Sequence, residues 1–161
     1  MKRIPPVLIA ALGAGLIGAI SMVFGLFELN ACFRANQTSS HCWITLIGSL
    51  PLFWFVYFCA GIGGAITSGL FGRSQSRRWV RASIALIAGA ITTSIGGAIV
   101  GLCFGAFGFG LFDNVLEYAV WGSMFGFMFA FSSWYAAFLW ILGFLLLDVA
   151  IGKVRKPRTL T

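Results

Sequence analysis

The sequence predicts an all-α integral membrane protein: a four-helix transmembrane bundle, both ends cytoplasmic (N-in/C-in), with glycine-rich helix packing. Three observations predict it. Of the 161 residues 60% are hydrophobic and only 9% charged, with a mean hydropathy of +0.97, whereas an ordinary soluble domain is about a quarter charged. The apolar residues fall into four blocks, each longer than the roughly 20 residues needed to span a bilayer core. Ten of the eleven Lys and Arg residues lie at the two chain ends and in the middle connection, which is the positive-inside signature. No room remains for a soluble domain, so residues 1–161 read as a single transmembrane domain.

The first block is Val7–Leu29, preceded by Lys2 and Arg3. It is too long for the apolar core of a secretory signal, and three further spans follow, so it is expected to stay as a helix. Small residues recur four apart on two of its faces, Ala11, Gly15 and Ala19, and Ala14 and Gly18. The segment Asn30–Cys42 follows on the outer side, and its pair Cys32 and Cys42 is a disulfide candidate in an oxidising compartment. Asn36-Gln37-Thr38 has the glycosylation pattern, in a loop too close to the membrane to rely on. His41, the only histidine, has no clustered partners and reads as an interfacial residue rather than a metal ligand.

The second block, Trp43–Phe71, has Ser39 or Ser40 available as a cap and Pro51 as a kink or first-turn residue. It too has two small-residue faces, one carrying Gly64 and the other Gly61. Arg73, Arg77, Arg78 and Arg81 come next and should sit on anionic headgroups. The third block, Ala82–Phe112, carries an unbroken stripe of small residues: Ala85, Gly89, Thr93, Gly97, Gly101 and Gly105. In lipid, helices associate by close backbone approach over such residues. The stripe is therefore expected to pack against other helices of the chain, or to be kept for a partner.

The fourth block, Glu117–Ile151, is expected to be one continuous helix. Asn114 stands three residues before Glu117, the spacing of a capping box. Aromatics crowd this block, and Lys153, Arg155, Lys156 and Arg158 close the chain on the cytoplasmic side. The ends of blocks one and three echo each other, Phe24-Gly25-Leu26-Phe27 and Phe109-Gly110-Leu111-Phe112, as a duplicated hairpin would.

Several function classes lack their residues. No charge lies near mid-span, as ion coupling would need; Asp148 sits near the inner boundary, where pairing with an arginine is the expected role. No Ser or Cys has a base placed beside it for nucleophilic catalysis. Cys59 and Cys103 read as packing residues. No cofactor, metal or nucleic-acid partner is expected, since topology alone accounts for the basic charge. In layout the chain resembles the mitochondrial translocase group of four glycine-striped helices. That group's arginine and aspartate spacing cannot be placed on it, so no function is carried over.

The expectation is a non-enzymatic protein of the bacterial inner membrane acting through lateral helix–helix contacts. It would be an accessory or assembly subunit, or a membrane immunity or exclusion factor. Its partners would be the lipid bilayer and another membrane protein or a second copy of itself. The alternative is an oligomeric channel or small-solute transporter built around the glycine and hydroxyl faces.

Overall fold

A computed structural model describes residues 5–29, 50–72, 78–106 and 114–155, with side chains from residue 25 to 29 left aside. Every element among them is helical: α1 Pro6–Leu29, α2 Leu50–Thr67, α3 Arg78–Ala106, α4 Val115–Ala130 and α5 Trp134–Arg155. A short 3₁₀ turn, Ser68–Leu70, extends α2. Four of these helices are long and apolar enough to cross a membrane, the build of a multi-pass membrane protein. The candidate pair Cys32 and Cys42, together with His41, Arg73, Arg77, Lys156 and Arg158, lies outside the described residues.

The continuous fourth helix expected from the sequence is instead two helices, α4 and α5, separated at Phe131–Ser133. The reason is local hydrogen bonding. The Ser133 hydroxyl accepts from Ala136 N at 3.0 Å, a serine N-cap that opens α5. Ser132 Oγ donates to Phe129 O at 3.0 Å, and Phe131 N donates to Phe127 O at 2.9 Å, closing α4. A helix break inside a membrane must satisfy the backbone groups it frees, and two adjacent hydroxyls do that here. Ser133→Ala should destabilise the protein by about 1 kcal/mol, the usual effect of losing a cap, measured by thermal unfolding in detergent.

The break lets the two halves of one sequence block take different neighbours. The first half, α4, lies along α3; the second, α5, packs chiefly on α1. α1 also packs on α2 and α2 on α3, with smaller contacts of α1 on α4 and α3 on α5. At α4's other end Asn114 is extended, at φ −140° and ψ 156°, and its Oδ1 accepts from Glu117 N at 2.9 Å. The reciprocal arm differs from the usual capping box: Asn114 Nδ2 donates to Glu117 Oε1 at 2.9 Å, side chain to side chain. The helix returning from α1 is unbroken over its described length whereas the one returning from α3 is split, so the two hairpins are not copies in form.

Small residues stand where backbones come closest. A Cβ built on Gly15 would lie 2.7 Å from Tyr57 O, and one on Gly61 3.1 Å from Ala11 O. On Gly18 it would lie 2.7 Å from Ala60 Cβ, and on Gly64 it would overlap the Ala10 carbonyl. Between α2 and α3 the same holds for Gly63 against Thr92 O at 2.8 Å. Phe71, Met22, Phe144 and Ile151 fill the interior, with Phe71 stacked on Phe144 at 6.1 Å.

Candidate functional site

The α3 stripe faces inward throughout its length. Gly89 lies under the Phe144 ring of α5, with a built Cβ 2.7 Å from Phe144 Cγ. Gly97 and Gly101 meet the α4 backbone at Gly122 and Tyr118, where a built Cβ would overlap a carbonyl oxygen. Gly105 meets the Tyr118 ring, a built Cβ lying 2.9 Å from its Cδ2. Thr93 accepts from Trp140 Nε1 at 2.9 Å. Each member of the stripe named as a packing or partner residue thus has a neighbour within this chain.

Beside the stripe lies a partly open cavity of about 80 Å³, bordered by all five helices. Its walls are largely apolar, with Ala14, Met22, Val56, Phe129 and Phe144 among them. Three hydroxyl-bearing residues also reach it: Ser21, Thr92 and Thr93. Their hydrogen-bonding states differ. Thr92 Oγ1 lies 2.6 Å from Thr67 Oγ1 and donates to Ala88 O at 2.8 Å. Thr67 Oγ1 in turn reaches Gly63 O at 2.9 Å. Thr67 Oγ1 also lies 3.4 Å from Gly64 O, and since the pair has two hydroxyl protons, one threonine donates to the other and forgoes its own carbonyls. Thr93 accepts from Trp140, and no hydrogen bond among the described residues uses its proton.

Ser21 is different again. It is 3% exposed, and its Oγ is the one buried side-chain polar atom among the described residues that has no partner. A serine in a helix ordinarily bonds back to a carbonyl one turn earlier; this one does not. A buried unsatisfied hydroxyl costs roughly 1–3 kcal/mol. Ser21→Ala is therefore expected to stabilise the ligand-free protein by about 1 kcal/mol, read as a higher Tm.

Two further groups of residues stand apart from the cavity, and only the second, the pairing of Asp148 with an arginine, was expected from the sequence. Cys59 on α2 and Cys103 on α3 are free thiols on paired helices. Their spacing in sequence carries no motif; only the α2–α3 pairing brings them together.

The second cluster closes the basic end of the bundle. Asp148 on α5, buried, pairs with Arg81 on α3, Nε to Oδ2 at 2.7 Å. Its other oxygen accepts from Gly72 N at 2.6 Å, and Arg81 Nη2 also reaches Asp148 O at 3.3 Å. Arg155 Nη2 donates to Ser68 O at 2.9 Å. Gly72 takes φ +69° and sits so close to Gly152 that a built Cβ would be 2.8 Å from Gly152 N, so only glycine suits the position. Of the other described basic residues, Arg78 and Lys153 are exposed.

Comparison with known proteins adds no relative. The chain matches no protein-family model, no curated protein and no solved structure. The functional reading rests on the geometry alone. Among the described residues no group of three or more His, Cys, Asp or Glu could hold a metal ion.

Proposed function

We propose that this is a non-enzymatic protein of a bacterial inner membrane, with both termini cytoplasmic, that acts by lateral contact with another membrane protein. The observation that carries this reading is an asymmetry of the outward surface. Around the α4–α5 break the exposed side chains are aromatics and methionines: Met124, Met128, Phe131, Trp134, Tyr135 and Phe138. On α1 they are mainly aliphatic, Val7, Leu8, Leu12 and Leu16, with Phe24 the one aromatic toward its far end. Lipid asks only for apolarity, and leucine supplies it. Aromatics and methionine are the residues enriched where proteins meet.

The orientation follows from the distribution of Lys and Arg, and the clustering of Arg81, Arg155 and Lys153 at one end of the bundle supports it. Glycine-mediated packing holds the bundle together in this reading. The alternative of an oligomeric channel around the glycine and hydroxyl faces would require those faces to leave the neighbours they now touch.

A photo-crosslinking amino acid at Phe138, compared with one at Leu12, tests the proposal in native membranes. The expected result is a discrete protein adduct from position 138 and only lipid adducts from position 12. Lipid adducts alone from both positions would overturn it.

A further inference from the structure

We propose that the mid-bundle cavity is a binding site for a small alcohol, a solute with an apolar body and one hydroxyl group that Ser21 engages. Three features define that chemistry. The volume is about 80 Å³; since a cavity of roughly 150 Å³ holds benzene, this one suits a solute of about three or four heavy atoms. The lining is almost wholly apolar, which favours a hydrocarbon body over water, because a buried water needs two to four polar partners. Thr92 is already committed to Thr67 and Ala88, and the Trp140 indole N–H to Thr93, so those groups are unavailable to it.

The third feature is the orphan. Ser21 Oγ is buried and has no partner among the described residues, and Ser21 is one of the residues that line the cavity. Thr93 on α3 also lines the space, and no hydrogen bond among the described residues uses its hydroxyl proton. An alcohol oxygen both donates and accepts, so it satisfies Ser21 in either direction. Its short alkyl chain then replaces empty volume with dispersion contacts. Bare hydrocarbon would leave Ser21 unpaired. This inference concerns the interior and is independent of the lateral surface proposed above.

Methionine provides the probe. Met22 lines the cavity and is 1% exposed, whereas Met124 and Met128 face outward. The full-length protein, ¹³C-methyl labelled at methionine in nanodiscs, is titrated with 1-propanol and separately with xenon. The expected result is a saturating shift at the Met22 methyl with both probes. Met124 and Met128 should drift linearly as propanol partitions into lipid.

Ser21→Ala should weaken propanol about 5-fold, the usual effect of one lost hydrogen bond, and leave xenon binding nearly unchanged. Ser21→Thr, which keeps the hydroxyl, should retain most of the propanol affinity. Equal propanol affinity in the wild type and Ser21→Ala would overturn the proposal, as would xenon saturation without propanol saturation. Should Ser21→Ala lose the folded methyl spectrum, displacement of xenon by propanol from the wild-type protein decides the matter. Displacement supports the site and its failure refutes it.

Discussion

Gly101→Ala should disrupt the α3–α4 contact, destabilising the protein by more than about 3 kcal/mol, the upper part of the range for overpacking. One methyl group is enough because its position is already filled. The added carbon would overlap the Tyr118 carbonyl oxygen, and that oxygen belongs to the backbone of α4 and cannot rotate aside. Relief requires the two helices to separate, which would also strip the facing Gly97 and Gly122 of their contacts. Gly126→Ala is the control on the same interface. Its new carbon would meet Thr93 O at 3.1 Å, tight but open to adjustment by a few tenths of an ångström. Unfolding in a detergent series should separate the two variants clearly, and equal stabilities would mean that α4 does not lie on α3 as described.

Arg81→Met should cost about 2–3 kcal/mol, less than the roughly 3–5 of a fully buried ion pair because Arg81 is partly exposed. The two members are unequal. The Asp148 side chain is 5% exposed and that of Arg81 is 33% exposed, so removing the arginine strands a carboxylate while the reverse leaves a cation that can turn to water. Asp148→Asn should therefore cost less, since an amide oxygen can still accept from Gly72 N. The double variant Arg81→Met with Asp148→Leu should recover much of the loss, because no buried charge is then left alone. If the double variant were as unstable as the sum of the singles, the pair would not be the reason for the loss.

The first three spans were legible in the sequence because hydropathy reports them directly; α3 merely starts four residues before the expected Ala82, at Arg78. The split in the fourth was not. Phe131, Ser132 and Ser133 interrupt neither length nor apolarity enough to register. The signal was chemical: two adjacent serines at mid-block can cap a new helix, and one of them does. The small-residue stripe did not tell which helices lie beside it. Which helix covers Gly89 rather than Gly101 depends on the break that sends α5 toward α1 and leaves α4 on α3. Asp148 was readable as half of an ion pair from its place near the basic end.

The cavity and its unpaired hydroxyl had no sequence signature. Ser21 looks like any serine in an apolar helix until the packing of five helices leaves space beside it. The same is true of the thiols, since Cys59 and Cys103 lie on neighbouring helices only because α2 and α3 pair. Local patterns thus specified elements and faces, while the interior sites are products of the assembly of those faces.

Native mass spectrometry of the protein, extracted from its own membrane with lipids retained, bears most directly on lateral partnership. The expected result is a defined complex with a different polypeptide, released when Trp134 and Phe138 are both replaced by leucine. A lone chain, or a homo-oligomer with no other polypeptide, would contradict it.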